Sequence, residues 1–443
     1  MALGPAAHNA RAPWPTRIKP IHLEHWQSRL NPLEPQHIDR ACHQAMTAEI
    51  KMKIAIIHDW LVSYRGGERV VAELIRMYPD ADVFSTVDFM DEKDRHILQG
   101  KVPKTSFIQR LPFARKHYRM YLPLMLTAIE QFDLTNYDLV ISSSSAVAKG
   151  VITGPRQLHI SYVHSPIRYA WDLQHVYLRE AGLDKGMRGL YARALLHYVR
   201  MWDQRTANGV DHFVANSRFI AARIKKTYRR TAEVIYPPVD TDTFTPITQA
   251  RDDFYLTASS LVPYKRVPMI AEAFAAMPDK TLVVVGDGPD MAALKKIAGP
   301  NVRVLGYQSH DKLLKLFRTA RAFVFAAEED FGIMPVEAQA CGLPVIAYAR
   351  GGSLETIRGL DHERPTGVFF AEQTIPSVIQ AVHAFEANAD RFDPDNIRAN
   401  ALRFSTERFH QSFRDAVDRQ LIDVDYNTIE LTQTPLLDEG SAR

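Results

Sequence analysis

The chain has 443 residues, a length typical of two or three folded domains. With 46% hydrophobic and 24% charged residues and a formal net charge of +3, it fits neither the disordered and collagen-like classes nor the strongly basic nucleic-acid binders. Its two cysteines exclude a disulfide scaffold and suit a reducing compartment, so we expect a cytoplasmic protein. No apolar stretch reaches the about 20 residues that a membrane span needs.

Residues 1–51 are rich in proline and show no sustained apolar period, which predicts a poorly packed extension. The first strand pattern begins at Lys53, so we expect Met52 to begin the folded unit, and we hypothesise that it is the natural start. From there to residue 238, short β-branched runs alternate with helical patterns. This alternation is typical of a parallel, doubly wound sheet.

The alternation stops over residues 239–250, a polar, proline-containing stretch that predicts an interdomain linker. It resumes over residues 251–405, and a last helical pattern at 406–425, expected to cross back to the first domain, precedes a tail at 426–443. Strand patterns lie at 53–57, 83–87, 139–142, 158–163, 212–215, 254–258, 281–285, 302–305, 322–326 and 344–347. Ligands of such sheets bind at the carboxyl ends of the strands. The sequence therefore predicts an α/β protein of two facing Rossmann-like domains with a site in the cleft between them.

The strongest motif is the string Glu-Asp-Phe-Gly-Ile-Met-Pro-Val-Glu, which runs from Glu329 to Glu337. A strand pattern ends before it, and Pro335 is favoured at the start of a helix. Gly332 permits close approach of the backbone, and amides at a helix start can receive a phosphate. One carboxylate can then bind a hexose and the other a ribose; the alternative for Glu337 is a glutamate that complements the helix dipole.

This string resembles the Glu-x7-Glu signature of retaining GT-B glycosyltransferases of family 4, and the resemblance covers residues 53–420. His-Asp-Trp-Leu at 58–61, Tyr-Val-His-Ser-Pro-Ile-Arg-Tyr-Ala-Trp-Asp at 162–172 and Val-Pro-Tyr-Lys-Arg at 262–266 are similar to bacterial O-antigen and exopolysaccharide mannosyltransferases. The resemblance implies transfer of a hexose, foremost mannose from GDP-mannose, to a lipid-linked or surface-polysaccharide acceptor. It implies retention of configuration and no metal or other cofactor.

The resemblance also implies a set of site residues. His164, Glu329 and Lys265 are the expected catalytic residues. The expected donor-binding residues are Gly66, Gly67, Ser260, Arg266, Gly286, Gly288, Phe331, Gly332, Ile333 and Glu337. Ser260 departs from the family pattern, which has an arginine five residues before the lysine. The cationic clamp on the donor diphosphate is therefore halved unless Arg266 or a cation of the first domain substitutes.

For two glycine pairs and one histidine, a purely structural role is the alternative to a role in ligand binding. Gly66 and Gly67 open a helix where their amides can approach an anion. Gly286 and Gly288 follow a strand, but the third glycine of a dinucleotide fingerprint is missing, which argues against a dehydrogenase. Either pair can instead serve a tight turn. His164 ends a strand beside the expected sugar site, where it can act through its ring, act through its carbonyl or be purely structural.

A basic, aromatic segment between residues 101 and 119 has no acidic residue, and its cations are Lys101, Lys104, Arg110, Arg115, Lys116 and Arg119. Such a surface can bind anionic lipid headgroups at the inner face of the cell membrane, or it can be a solvated basic face. Asp240 and Asp242 lie in the linker and predict no metal site. The alternative functions are a transferase using a UDP-sugar, a nucleotide-sugar epimerase and a non-catalytic nucleotide-sugar-binding protein.

Overall fold

The computed structural model describes residues 52–433, with side chains as far as Ile422. It contains two parallel β-sheets, one in each half of the chain, with helices between most successive strands. The prediction of two Rossmann-like domains is therefore confirmed. The predicted extension at residues 1–51 and most of the predicted tail lie outside the described residues.

The first sheet has seven strands: β1 (Ile54–His58), β2 (Asp82–Ser85), β3 (Lys104–Thr105), β4 (Leu139–Ser144), β5 (Leu158–Val163), β6 (His212–Ala215) and β7 (Glu233–Val234). The helices of this half are α1 (Gly66–Met77), α2 (Ala114–His117), α3 (Leu122–Glu130), α4 (Gln174–Glu180), α5 (Gly186–Thr206) and α6 (Arg218–Tyr228). Its strand order is β3-β2-β1-β4-β5-β6-β7.

The second sheet has six strands: β8 (Tyr255–Ala258), β9 (Leu282–Val285), β10 (Val302–Gly306), β11 (Ala322–Phe325), β12 (Val345–Tyr348) and β13 (Gly367–Phe370). The helices that follow residue 250 are α7 (Val267–Ala275), α8 (Met291–Ile297), α9 (His310–Thr319), α10 (Ile333–Ala340), α11 (Ser353–Thr356), α12 (Ile375–Ala387), α13 (Pro394–Ala401) and α14 (Thr406–Gln433). Its strand order is β10-β9-β8-β11-β12-β13.

Both sheets reverse their strand order at one point, between β1 and β4 in the first sheet and between β8 and β11 in the second. In open parallel sheets the crevice for a ligand lies outside the carboxyl ends of the strands at such a switch point. The loop that carries Glu329 follows β11, and the loop that leads to Gly66 at the start of α1 follows β1. The topology thus places both loops at the switch points of their sheets.

The helix α14 packs against the first domain. Phe409 and Phe413 pack against Tyr162 of β5, with ring centroids 5.9 and 6.5 Å apart. His410 Nε2 lies 2.9 Å from a carboxylate oxygen of Glu73 on α1. Both phenylalanines are buried, so this contact removes apolar surface from water and favours a fixed arrangement of the helix on the first sheet.

Candidate active site

The carboxyl ends of β1, β4 and β5 carry a connected set of polar side chains. The Ser143 hydroxyl lies 3.2 Å from His58 Nδ1 and 2.8 Å from His164 Nε2. His58 Nδ1 is also 3.0 Å from the Ser143 carbonyl, which can only accept, so Nδ1 carries a proton and donates. The Ser143 hydroxyl then accepts from His58 and donates to His164.

The two histidines of this set differ in protonation. Burial lowers the pKa of His58, but its hydrogen bond to Glu68 and the charges of Glu68 and Asp59 raise it above the usual value overall. Burial, with the charge of His58, lowers the pKa of His164 to about 3. His164 is therefore a neutral imidazole at neutral pH, which suits a hydrogen-bonding role better than that of a proton donor.

Asp59, which follows β1, is a structural residue to which the sequence analysis assigned no role. It is buried, and its carboxylate accepts from the backbone N–H groups of Ser145, Ala146, Val147 and Ala148. The four amides hold the turn after β4 against the end of β1. Its signal in the sequence was an acidic residue directly after a buried strand.

The glycine pair at the start of α1 lies where the two domains meet. A Cβ on Gly67 would lie 3.6 Å from His164 Nε2, and one on Gly66 would lie 3.2 Å from Cδ1 of Ile333 at the start of α10. Gly332 ends the preceding loop in the left-handed region, with φ +84, which glycine adopts without strain. The structure therefore brings Gly66, Gly67 and His164 of the first domain close to Gly332 and Ile333 of the second.

Glu329 and Glu337 both lie at the interface of the two domains but contact different cations. Glu329 forms an ion pair with Lys265, which belongs to the same domain. Glu337 is buried on α10 and accepts from Nη1 of Arg69, which belongs to α1 of the opposite domain. The negative charge of Glu337 raises the pKa of Arg69. Each carboxylate thus already has a charged partner.

Lys265 is in an environment that disfavours its charge. Burial, with the charges of Arg168 and Arg65, lowers its pKa to about 7. The Glu329 carboxylate opposes that change, because it stabilises the charged ammonium. Two first-domain arginines therefore lie close enough to the lysine for their charges to act on it.

A second ion-pair group crosses the cleft beside the first. Arg168, in the loop after β5, pairs with Asp330, the residue next to Glu329. Arg223 on α6 also contacts Asp330, at 3.4 Å, and pairs with Asp172. Arg69, Arg168, Arg223 and Asp330 were missed as site residues, because their partners across the cleft are more than 100 positions away along the chain.

The remaining predicted donor residues lie in two loops of the second domain. Ser260 follows β8 and is exposed; Arg266, also exposed, has φ +56, and forms none of the ion pairs found within residues 52–433. A Cβ on Gly286 would lie 1.8 Å from the Ser259 carbonyl oxygen, and one on Gly288 would lie 2.4 Å from that of Leu261. Both glycines are therefore required by the close packing of these loops, whether or not they contact a ligand.

Two further observations concern metals and membranes. In the described part of the chain, no group of three or more His, Cys, Asp or Glu side chains is arranged to hold a metal ion. Asp240 in the linker instead accepts from the Thr243 backbone N–H at 3.0 Å. No helix within residues 52–433 is both long and apolar enough to cross a bilayer.

Comparison with known families matches both halves of the chain. Residues 64–243 match the model described as Glycosyltransferase Family 4, and residues 240–402 match the model described as Glycosyl transferases group 1. Together with the two parallel sheets, these matches support the class of GT-B glycosyltransferases.

Sequence relatives are distant and cover part of the chain. The chain is 30% identical over 180 residues to a D-inositol 3-phosphate glycosyltransferase of Mycobacterium sp. strain JLS, a match that covers 35% of this chain and 41% of the relative. It is 34% identical over 114 residues to a GDP-mannose-dependent monoacylated alpha-(1-6)-phosphatidylinositol monomannoside mannosyltransferase of Corynebacterium glutamicum, covering 22% and 30%. The chain thus spans about two fifths of the length of the first of these curated relatives.

Solved structures resemble nearly all of the described fold. Anabaena HepE, solved in complex with UDP, has a TM-score of 0.62 and 18% identity, covering 83% of this chain and 100% of that one. The lipopolysaccharide outer core galactosyltransferase WaaB has a TM-score of 0.58 and 18% identity, with the same coverage. At these identities the likeness establishes the fold, which is GT-B.

Proposed function

We propose that the protein is a retaining glycosyltransferase that moves a hexose from a nucleotide sugar to a lipid-linked or surface-polysaccharide acceptor. The observation that carries the proposal is the contact between Lys265 and Glu329 just before the amino end of α10. There a cation, a carboxylate and free helix amides meet at one point of the cleft. A sugar diphosphate needs all three of these groups.

Donor binding is expected to replace the ion pair between Lys265 and Glu329 by contacts of each residue with the donor. Its diphosphate takes the place of Glu329 beside Lys265, and the amides of Gly332 and Ile333 donate to a phosphate oxygen. Glu329 is then free to accept from hexose hydroxyls, and Glu337 accepts from the ribose. Phe331 is buried beneath this loop, which suits a role in holding the loop in place.

The transfer step breaks the bond between the anomeric carbon and the β-phosphate oxygen, which leaves with the electron pair. The acceptor hydroxyl attacks from the same face, and its proton passes to the departing phosphate. First-domain carboxylates at this edge are already engaged: Asp59 accepts from four amides, and Glu68 lies 3.7 Å from His58. This favours attack assisted by the diphosphate over a covalent intermediate, with Lys265 stabilising the developing charge.

GDP-mannose is the donor we propose. The proposal is supported by the resemblance of the strings around His58, His164 and Lys265 to mannosyltransferases and by the GDP-mannose-dependent relative of C. glutamicum. A UDP-sugar donor is the second candidate, because the similar fold of HepE was solved with UDP. No cofactor or metal is expected in either reaction.

The membrane association that we propose involves the segment between Lys101 and Arg119. Lys104 is held by Asp82 at 3.0 Å, and Lys101 donates to the Pro79 carbonyl, so these two are less free. Phe113 and Met120, in contrast, are 79% and 76% exposed. Exposed cations lie between them, at Arg115, Lys116 and Arg119. Apolar side chains among cations suit the headgroup region of an anionic bilayer.

The test is turnover of purified protein with a panel of GDP- and UDP-sugars, followed by thermal unfolding with each. A ligand at 100 times its Kd adds about 2.7 kcal/mol to the free energy of unfolding. We expect stabilisation and consumption of GDP-mannose when lipid-linked acceptor is present. Conversion of the donor to another nucleotide sugar without acceptor would indicate an epimerase, and binding without any turnover would indicate a non-catalytic protein.

A further inference from the structure

We propose that Arg168 supplies the second cation of the donor diphosphate site, in place of the arginine that is missing at Ser260. This inference rests on the function proposed above. Lys265 and Arg168 come from opposite domains, yet they pair with the neighbouring residues Glu329 and Asp330. The two cations are therefore held beside each other at the loop before α10.

Arg168 can leave Asp330 to bind a phosphate without leaving that carboxylate unpaired. Asp330 also contacts Arg223, so it keeps a cationic partner when the Arg168 guanidinium turns to a ligand. Glu329 can likewise exchange Lys265 for sugar hydroxyls. An ion pair that breaks without leaving a buried unpaired charge avoids the large cost of such a charge.

The Arg168 side chain is already oriented toward the cleft. Its Nε donates to the Ser165 hydroxyl at 3.1 Å and its Nη2 pairs with Asp330, which leaves Nη1 for a further acceptor while that pair is intact. Burial, followed by the charge of Arg223, lowers the pKa of Arg168, so an additional anion would stabilise this guanidinium. A guanidinium can also bind a phosphate through two parallel hydrogen bonds.

A diphosphate site built from Lys265 and Arg168 differs from one built in a single domain in what it requires of the cleft. An arginine at position 260 would belong to the same domain as Lys265, whereas Arg168 belongs to the opposite one. The diphosphate would therefore bridge the two domains, and its binding would require a closed cleft. The nucleoside alone has no such requirement.

Isothermal titration of GDP and of guanosine, with UDP and uridine as a second pair, tests the inference. Arg168→Ala should weaken binding of the diphosphate by roughly tenfold to a hundredfold and leave the nucleoside unchanged, since hydrogen bonds to charged groups contribute at this level. Ser260→Arg added to Arg168→Ala should restore most of the loss. Arg179→Ala, an exposed arginine on α4, is the matched control.

Unchanged diphosphate binding in Arg168→Ala would overturn the inference while leaving the proposed function intact. Equal losses for diphosphate and nucleoside would also overturn it, because they would indicate a general structural effect. If the unaltered protein bound neither GDP nor UDP, the proposed function itself would fail.

Discussion

The two sheets present different kinds of chemistry at the edges that face each other. At the first edge, a chain of hydrogen bonds joins His58, Ser143 and His164. The Asp59 carboxylate there accepts from backbone amides. At the second edge, Glu337 and Asp330 find their cations on the opposite domain. The first edge is therefore a fixed platform, and the charges that can exchange partners with a donor lie around the second.

The largest expected effect comes from removing the cation of the second edge. Lys265→Ala should lower kcat by roughly 10²–10³ under saturating donor, as removal of one donor to a developing oxyanion does. Lys295→Ala, an exposed lysine of the same domain, is the control. Near-full turnover of Lys265→Ala would contradict the assignment of this lysine.

Substitution of a structural residue at the first edge should lower the stability of the protein rather than its catalytic rate. Asp59→Ala leaves four backbone N–H groups without their carboxylate and should lower the free energy of unfolding by roughly 3 kcal/mol, because buried unpaired donors are costly. Denaturant unfolding measures this, with the exposed Asp91→Ala as the control. A loss below about 1 kcal/mol would show that water or other groups replace the carboxylate.

A smaller change is expected at the cross-domain pair of Glu337 and Arg69. Glu337→Gln should raise the KM for the donor roughly tenfold with little change in kcat, because a ribose contact contributes equally to ground state and transition state. Steady-state kinetics with Glu372→Gln as an exposed control measures the split. A fall in kcat at constant KM would place Glu337 at the reacting sugar instead.

The effect that is smallest at neutral pH is a pH dependence of stability that originates in the first edge. His164 has a pKa of about 3 in the folded protein and about 6.5 unfolded, so the unfolded chain binds the extra proton between these values. Its contribution is therefore retained above pH 6.5 and lost as the pH falls. His164→Asn should flatten the fall in stability between about pH 6.5 and 4. An equally steep fall in the variant would mean that His164 is exposed to water.

The fold and the loops of the site could be predicted from sequence because their signals are local. Strand β5 has the predicted bounds, and β11, predicted at 322–326, spans Ala322–Phe325. The strand β13 was missed because Gly367–Phe370 is short and begins with glycine, which is rare inside strands. The helix α5 was missed because its most regular apolar positions face outward, so no core-facing period marked it.

The pairing of charges across the cleft could not be predicted. Arg69 and Glu337 are 268 positions apart, and Arg168 likewise pairs with a residue of the opposite domain, Asp330. Arg168 lies in the string at 162–172 that resembles mannosyltransferases, but no local signal assigns it, or Arg69, a partner in the opposite domain. Their partners follow only from how the two sheets pack against each other, which depends on the linker and α14 as well as on the motifs.

The most direct test of the account is a crystal structure of the protein with GDP-mannose. We predict diphosphate oxygens within hydrogen-bond distance of Lys265 Nζ and an Arg168 Nη atom, with Glu329 on hexose hydroxyls and Glu337 on the ribose. A donor bound elsewhere, with the Lys265–Glu329 and Arg168–Asp330 pairs still intact, would contradict it.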